Sequence, residues 1–448
     1  MPDRYDLPAG FRWGAATAAY QIEGAVGEDG RGPSVWDTFA ARPGAVRDGH
    51  TGAVACDHYH RYPEDIALMK GLGLDGYRFS IAWPRVLPTG AGTVNPAGLA
   101  FYDRLVDALL EAGITPLPTL FHWDLPQALE DGGGWLNRDT AYRFAEYAAI
   151  VADRLGDRIP AWITLNEPFV HTVFGYALGT HAPGRALMFE ALPAAHHQLL
   201  GHGLAASLLH ERGLEVMLSN NLTPVEPASD SAEDKAAAEA YDALHNRLFT
   251  DPVLLGRYPD LSALGVPDDI HGAVHPGDLD LIHTPGLDGL GLNFYNPTRV
   301  AAPTEPGGLP FDLVDIPDVP HTAFGWPVVP DALRRLLLHL RDTYGKALPP
   351  LTITENGCSV AEDTDPDQPR IDFMAAHLDA LAQAAAEGVD VRGYYTWSLL
   401  DNFEWAEGLF SQRFGLVHVD FETQRRTPRA SYAWYRDLIS VHRARYSV

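Results

Sequence analysis

The sequence has little cysteine and little positive charge, and both shortages exclude classes of protein. Its two cysteines, Cys56 and Cys358, are too few for a disulfide framework and lack the spacing of metal ligands. Its 33 lysines and arginines are outnumbered by 59 aspartates and glutamates, which gives a formal net charge of −26. Because phosphate binding needs a basic surface, this balance argues against nucleic acids and anionic membranes as partners.

Long hydrophobic runs and phosphate-binding glycine motifs are missing as well. No stretch approaches the roughly 20 apolar residues of a membrane span. The opening segment MPDRYDLPAGF has charges at Asp3, Arg4 and Asp6 and lacks the apolar core of a signal peptide. No G-x-G-x-x-G turn opens a helix, which removes the usual sign of a dinucleotide-binding sheet. We therefore expect a soluble, cytoplasmic protein without a cofactor.

The sequence does contain a repeated alternation of strand and helix patterns. Eight apolar or β-branched runs predict strands at residues 11–21, 75–83, 114–123, 161–168, 215–221, 287–295, 351–357 and 391–401. Amphipathic helical patterns lie between most of them, including those at 98–113, 137–157, 331–345 and 371–388. This alternation implies parallel strands with crossover helices, and a run of eight favours closure into a (β/α)8 barrel over an open sheet.

We predict that residues 1–448 form a single barrel domain, because no break in composition and no linker divides the chain. Two segments rich in proline, glycine and aspartate, 296–329 and 359–370, are predicted to be long βα loops. In a barrel such loops lie at the carboxyl ends of the strands, where active sites are built.

The predicted strand ends are unusually polar. The strand AWITL ends in Asn166, Glu167 and Pro168, and proline stops the sheet pairing because it cannot donate a hydrogen bond. One polar strand end is an ordinary turn. Similar ends follow five other strands, at Gln21–Glu23, His122–Asp124, Asn293–Tyr295, Glu355–Asn356 and Trp397–Trp405. Because the carboxyl ends of barrel strands share one face, these residues are expected to converge on a single pocket.

Two glutamates in this set, Glu167 and Glu355, are expected to face each other. The sequence has no G-x-S-x-G elbow and no Ser-His-Asp or metal-ligand motif, and for His122 a substrate hydrogen bond or a core contact is favoured over metal binding. Paired carboxyls surrounded by Trp, Asn, Gln and His suit the hydrolysis of a glycosidic bond. One carboxyl protonates the leaving oxygen, and the other meets the oxocarbenium-like centre.

Several motifs in a fixed order carry a resemblance to a known family. They are FRWGAATAAYQIEG, GRGPSVWD, YRFSIAWPR, FHWDLPQ, TLNEP, GLNFY, ITENG, WSLLDNFEW and RFGLVHVD. From end to end the chain resembles glycoside hydrolase family 1, the β-glucosidase family. The fold of that family is the (β/α)8 barrel, in agreement with the strand count.

The resemblance implies a role for each motif residue. Glu167 resembles the general acid/base and Glu355 the nucleophile, while Arg78 and Tyr295 match groups that support the nucleophile. Trp397 matches the platform for the sugar ring, and Trp326 an aromatic side chain on the leaving-group side. The substrate-binding residues implied in this way are Gln21, His122, Asn166, Asn293, Tyr295, Trp326, Trp397, Glu404 and Trp405.

The resemblance further implies a retaining β-glycosidase, most closely a β-glucosidase, that forms a covalent glycosyl-enzyme intermediate. Retention needs the two carboxyls about 5–5.5 Å apart. Arg78 and Tyr295 are expected to lower the pKa of Glu355, whereas burial and the charge of Glu355 are expected to raise the pKa of Glu167. The expected partner is a small β-glycoside, with no metal ion or cofactor, and the protein is a monomer or a homo-oligomer.

Three other branches of the family are less well matched. A phospho-β-glycosidase would have serine in place of Glu404, and lysine and tyrosine near Gln412 and Phe414, so a neutral sugar is expected. A plant-type thioglucosidase would have glutamine in place of Glu167. A non-catalytic sugar-binding relative would have lost one of the two glutamates. Because a Gln21–Glu404 pair can bind the 4-hydroxyl in either orientation, β-galactosidase and β-fucosidase side activities are expected.

Overall fold

Eight parallel strands close into a barrel in the computed structural model, which describes residues 5–305, 308–360 and 367–446. The strands are β1 (Arg12–Ala16), β2 (Gly76–Ser80), β3 (Thr115–Phe121), β4 (Ala161–Asn166), β5 (Glu215–Asn221), β6 (Gly289–Asn293), β7 (Leu351–Asn356) and β8 (Val391–Trp397). Each strand pairs with the next along the chain, and β1 pairs with β8, which closes the barrel. The predicted (β/α)8 fold is confirmed.

Helices connect the strands and cover the outside of the barrel. The helices outside the barrel are α1 (His58–Leu72), α2 (Pro96–Glu111), α3 (Asp139–Leu155), α4 (Pro193–His210), α5 (Ala232–Asp242), α6 (Leu248–Leu255), the short α7 (Asp278–His283), α8 (Pro330–Tyr344), α9 (Gln368–Ala386) and α10 (Ala430–Tyr446). In α3 the apolar stripe of Phe144, Tyr147, Val151 and Leu155 is buried, as its 3.6-residue period requires. Of the helices in the described ranges, none is both long enough and apolar enough to cross a membrane.

Shorter helical turns lie mainly in the loops. One-turn or two-turn α-helices are Ala19–Ile22, Val35–Ala40, Trp83–Val86, Gln127–Asp131 and Pro168–Val170. Turns of 3-10 helix are Arg47–Gly49, Gly134–Leu136, Met188–Ala191, Ser262–Leu264, Gly345–Ala347 and Trp405–Glu407. Wider π-helical turns are His171–Ala177 and Ala243–Arg247.

The first strand is shorter than predicted. The expectation of a strand over residues 11–21 is wrong at its carboxyl end, because β1 ends at Ala16 and Gln21 lies on the helix Ala19–Ile22. Beyond the strand, the Ala19 N–H donates to the side chain of Ser80 on β2, at 2.7 Å from Oγ, instead of to a backbone carbonyl of the sheet. The last strand is also shorter than predicted, since β8 ends at Trp397.

The loop predicted at 296–329 carries short strands of its own. Thr298–Ala301 and Asp312–Val314 pair with each other, and Val225–Pro227 joins them in a three-stranded sheet. A separate pair, Val417–Val419 with Arg426–Pro428, follows β8. Within the other predicted loop, residues 361–366 lie outside the described part of the chain.

The barrel interior depends on two glycines that make room for one tyrosine. Tyr395 on β8 is 3% exposed, and its ring lies against Gly14 and Gly76. A Cβ atom on Gly14 would lie 2.2 Å from Tyr395 Cδ1, and one on Gly76 would lie 2.4 Å from the tyrosine hydroxyl. No real Cβ atom tolerates such distances, so these two strand positions require glycine for packing.

This packing makes a prediction for two strand glycines. We expect Gly14→Ala to lower the free energy of unfolding by about 1–3 kcal/mol, because Tyr395 must leave its place in the barrel. In the control variant Gly289→Ala, the new Cβ would lie 3.4 Å from the nearest atoms of Met217, an ordinary contact. That variant should be neutral or stabilising by up to about 1 kcal/mol. Chemical denaturation of both variants measures the difference, and equal stabilities would contradict this account of the barrel interior.

Candidate active site

The carboxyl ends of the strands bring the two glutamates to one mouth of the barrel. Glu167 directly follows β4, and Glu355 is the last residue but one of β7. Glu167 has a left-handed backbone (φ 44°, ψ 62°) because Pro168 begins a helical turn immediately after it. Its N–H donates to Ser219 O on β5 at 2.8 Å, which fixes this sharp bend. Both side chains are buried, so the strand ends hold two carboxyls away from bulk water.

Glu355 is held by a guanidinium and a phenol. Arg78 Nη1 on β2 donates to Glu355 Oε1 at 2.5 Å, and the Tyr295 hydroxyl donates to Oε2 at 2.7 Å. Arg78 is itself only 1% exposed and also donates to Asn166 Oδ1 at 2.6 Å and to the carbonyl of Thr354 at 3.1 Å. Each oxygen of Glu355 therefore accepts a strong hydrogen bond from a fixed donor.

The carboxyl of Glu167 accepts its side-chain hydrogen bond from a neutral amide instead of a guanidinium. Asn293 Nδ2, at the end of β6, donates to Glu167 Oε1 at 2.6 Å and to Asn166 Oδ1 at 3.0 Å. Asn293 Oδ1 accepts hydrogen bonds from the hydroxyls of Ser219 and Thr354, which orients the side-chain amide. Among the described residues, no arginine or lysine forms an ion pair with Glu167. One network of hydrogen bonds thus joins the two carboxyls while only Glu355 contacts a cation.

Burial and charge raise the pKa of both glutamates. For Glu167, burial is the main cause and the charge of Glu355 adds to it, which raises the pKa to about 8 against the opposing hydrogen bond from Asn293. For Glu355, burial also raises the pKa, although Arg78 and Tyr295 oppose it. The prediction that these two donors leave the pKa of Glu355 below its ordinary value is wrong, because burial outweighs them. Glu355 still ionises first, since its partners favour the carboxylate more strongly.

Three polar groups beside the glutamates are buried and have no hydrogen-bond partner in the described part of the chain. They are Gln21 Oε1, His122 Nδ1 and Glu404 Oε2. The Gln21 amide is oriented by hydrogen bonds from Nε2 to Asn402 Oδ1 at 3.1 Å and to the Phe403 carbonyl at 2.9 Å. Leaving such groups unpaired costs free energy, so they are suited to the hydroxyls of a ligand.

His122 is neutral and its tautomer follows from its neighbour. Asn166 Nδ2 lies 3.0 Å from His122 Nε2, and because an amide nitrogen donates, Nε2 must accept and Nδ1 carries the proton. Burial, followed by the charge of Arg78, lowers the pKa of His122 well below its usual range. The ring therefore presents an N–H donor rather than a positive charge.

Glu404 adds a third carboxyl to the site. Burial and then the charges of Glu355 and Glu167 raise its pKa well above the ordinary value. Within the described residues, no lysine, arginine or histidine forms an ion pair with Glu404. Three buried carboxyls therefore share a site in which Arg78 is the one cation in direct contact, and a second full negative charge there is unfavourable.

Aromatic rings line the remaining walls. Trp397 ends β8, and the His122 ring lies nearly parallel to it at 6.1 Å and to Trp405 at 5.9 Å. On the other side Trp326 lies 5.2 Å from Tyr295 and 6.1 Å from Phe414. Through these contacts and the hydrogen bonds above, the structure brings together every residue that the sequence motifs singled out.

Three further residues at this site had no individual role assigned from the sequence. Trp123 Nε1 donates to the Asn166 carbonyl at 2.8 Å, and its ring lies 4.7 Å from Trp405. Asn402 orients Gln21, and Phe324 stacks on Trp326 at 4.3 Å. The motif FHWDLPQ contains Trp123 and could have indicated a place for it in the site. No motif quoted from the sequence contains Phe324. In the described residues there is no group of three or more His, Cys, Asp or Glu side chains that could hold a metal ion.

Cleavage of a glycosidic bond is the chemistry for which these groups are suited, since it needs one carboxylic acid and one carboxylate beside a sugar-binding wall. Fold and site together define a glycoside hydrolase. The chain belongs to glycosyl hydrolase family 1, whose sequence model matches residues 3–444. The retaining mechanism is general to that family.

Sequence similarity to named relatives extends over nearly the whole chain. It is 52% identical to the thermostable β-glucosidase B of Thermobispora bispora, over 97% of this chain and 90% of that protein. It is 46% identical to the bifunctional β-D-glucosidase/β-D-fucosidase of Bifidobacterium breve, over 98% and 99%. Among solved structures, the psychrophilic β-glucosidase BglU of Micrococcus antarcticus matches with a TM-score of 0.94 and 46% identity, covering 99% of each chain.

The hydrogen bond from Tyr295 to Glu355 predicts a shift in pH dependence. Tyr295→Phe removes a donor that favours the carboxylate, so we expect the pKa of Glu355 to rise by about one unit. The acidic limb of kcat/KM for glycoside hydrolysis should move to higher pH by that amount. Tyr344→Phe is the control, because it removes a similar hydrogen bond, from the Tyr344 hydroxyl to Asp251 at 2.6 Å, outside the site. An acidic limb that moves equally in both variants, or in neither, would contradict the assignment.

Proposed function

We propose that the protein is a retaining β-glucosidase that removes terminal non-reducing β-D-glucosyl residues from oligosaccharides or from aryl and alkyl glucosides. β-Galactosidase and β-fucosidase activities accompany the main one. The observation that carries the proposal is the unequal environment of the two glutamates. Glu355 contacts a guanidinium and a phenol, whereas Glu167 contacts an amide alone.

Glu355 is the nucleophile in this proposal. Its ion pair with Arg78 and its hydrogen bond from Tyr295 favour the carboxylate and keep its oxygens oriented. A carboxylate oxygen attacks the anomeric carbon, a C–O bond to Glu355 forms, and the bond to the leaving oxygen breaks. The positive charge that develops on the sugar ring is stabilised by the carboxylate before the bond is complete.

Glu167 is the general acid in the first step and the general base in the second. With a pKa raised to about 8, it is protonated at neutral pH and can donate its proton to the leaving oxygen. When Glu355 becomes an ester, its negative charge disappears and the pKa of Glu167 falls. Glu167 can then take a proton from the water molecule that attacks the anomeric carbon, which releases the sugar with retained configuration.

The unpaired polar groups recognise the sugar. The proposal assigns hydroxyl contacts to Gln21 Oε1, to the His122 Nδ1–H and to the Glu404 carboxyl, with the indole of Trp397 against the apolar face of the ring. Asn166, Asn293, Tyr295 and Trp405 complete this wall, and Trp326 lies on the leaving-group side. Glucose is favoured as the sugar because relatives that are 52% and 45% identical carry the name β-glucosidase.

A neutral sugar fits this site better than a phosphorylated one. The negative charge of a phosphate group would be repelled by the buried carboxyl of Glu404. The side chains Gln412 and Phe414 supply no positive charge to offset this repulsion. The phospho-β-glycosidase alternative is therefore disfavoured. A non-catalytic role is disfavoured as well, because both glutamates are present and are held in one hydrogen-bond network.

We also propose that the chain forms one catalytic domain, since the family match spans residues 3–444 and the barrel draws its strands from Arg12 to Trp397. The cytoplasmic location, the lack of a nucleic-acid partner and the choice between monomer and homo-oligomer stay predictions from the sequence.

The change of role proposed for Glu167 predicts that its pKa depends on Glu355. Glu355→Gln removes a negative charge that raises the pKa of Glu167, so that pKa should fall below the value of about 8. Carbon-13 NMR of carboxyl-labelled glutamate measures the titration directly in this inactive variant. Glu130→Gln, which changes a buried glutamate bonded to Tyr176 and Arg185, is the control and should leave the pKa of Glu167 unchanged. An unchanged or raised pKa in Glu355→Gln is the result that the mechanism does not allow.

Sugar recognition is tested by a panel of substrates that share one aryl leaving group. We expect kcat/KM to be highest for the β-glucoside, lower but measurable for the β-fucoside and β-galactoside, and at least about 100-fold lower for the 6-phospho-β-glucoside. Activity on the phosphorylated sugar alone would overturn the branch assignment. Binding of the sugars without any hydrolysis would favour the non-catalytic alternative.

A further inference from the structure

A second cavity lies at the opposite mouth of the barrel, where the strands begin. Its volume is about 380 Å³, within the range of small-molecule sites. It is lined by the first residues of five strands, Arg12, Ala161, Glu215, Gly289 and Val391. The glutamates of the active site lie at the carboxyl ends of the strands, so this cavity is separate from the active site.

The inside of the cavity is largely apolar, and two residues that carry hydroxyls, Thr352 and Tyr395, also line it. Leu117, Ala161 and Met217, from β3, β4 and β5, form an apolar floor together with the ring of Tyr395. Tyr395 is 3% exposed, and its hydroxyl forms no hydrogen bond with any residue in the described ranges. The cavity therefore presents a ring-sized apolar surface beside a tyrosine hydroxyl that can form a hydrogen bond with a ligand.

The entrance of the cavity carries charges of both signs. Arg392 and Asp390 form an ion pair with each other, and Asp288 accepts a hydrogen bond from the His210 ring. Arg12 and Glu215 form no ion pair with residues that the structure describes, so a cation and an anion remain available there. A ligand with a single charge would be attracted by one of these groups and repelled by the other, and it would also lose its hydration, whereas a neutral ligand would not pay that cost.

We propose that this cavity binds a small neutral molecule that consists of an apolar ring and a hydroxyl group, such as a phenol. The ring packs on Leu117, Ala161 and Met217, and the hydroxyl forms a hydrogen bond with Tyr395. Alcohols of this class are released when aryl glycosides are hydrolysed, and that link to the reaction rests on the proposed function. The binding site itself does not depend on it, since it requires no catalysis.

Met217 provides a local signal for the test. Of the four methionines within the described residues, Met69, Met188, Met217 and Met374, it is Met217 that lines the cavity. In protein labelled with carbon-13 at the methionine methyl groups, phenol at pH 6.5 is expected to shift the Met217 resonance saturably. The resonance is assigned with Met217→Leu. Phenol bound near Trp326 in the active site would leave the Met217 resonance unchanged, so binding at the two sites can be distinguished.

Two variants and three related compounds test the chemistry. Ala161→Phe fills the cavity and should abolish the saturable shift, and hydrolysis of an aryl glucoside shows that the variant is folded. Tyr395→Phe should weaken phenol binding by about tenfold, as expected for one hydrogen bond, and should leave toluene binding unchanged. Benzoate and benzylamine, which carry opposite charges, should each bind at least about tenfold more weakly than phenol.

Three results would overturn the proposal. They are the absence of a saturable Met217 shift in the unmodified protein, a phenol affinity unaffected by Tyr395→Phe, and equal binding of phenol and either charged compound. Each can occur while glycoside hydrolysis is intact, so failure here is distinguishable from failure of the proposed function.

Discussion

The ion pair between Arg78 and Glu355 is the interaction on which the site depends. Three buried carboxyls, those of Glu167, Glu355 and Glu404, share one barrel mouth, and in the described chain Arg78 is the only cation that forms an ion pair with any of them. A dry site with one guanidinium can stabilise about one carboxylate. The position of Arg78 on β2, in contact with Glu355, therefore decides which carboxyl is ionised and which are neutral.

The same arrangement lowers stability as the pH rises. Glu167 has a pKa raised to about 8 in the folded protein against 4.5 as its ordinary value. Between these two pH values the folded state binds more protons than the unfolded state, so the free energy of unfolding falls with increasing pH. Below about pH 4.5 the carboxyl is protonated in both states and this destabilisation is absent. The barrel offsets it elsewhere, through its buried aromatic rings and the closed hydrogen bonding of its strands.

The sequence was informative where a residue type is dictated by local pattern or by motif. Eight alternating runs predicted the barrel, and TLNEP and ITENG located Glu167 and Glu355. The early end of β1 before Gln21 was not predictable, because the hydrogen bond that Ala19 makes beyond the strand is to Ser80, which lies 61 positions away. The direction of the Glu355 pKa shift was predicted incorrectly, because the donors are visible in the motifs but the depth of burial is not. The roles of Trp123 and Phe324 were not predictable, because they depend on ring contacts with Trp405 and Trp326, which only the folded chain reveals.

Covalent attachment of the sugar to Glu355 is the central claim, and trapping of the intermediate tests it most directly. A 2-deoxy-2-fluoro-β-glucoside with a good leaving group slows the second step more than the first, so the glycosyl-enzyme accumulates. We expect mass spectrometry of the intact protein to show one fluoroglucosyl group per chain, and peptide mapping to locate it on Glu355. Attachment to Glu167 instead, or rapid turnover of ordinary glucosides with no labelled protein under any condition, would contradict the account.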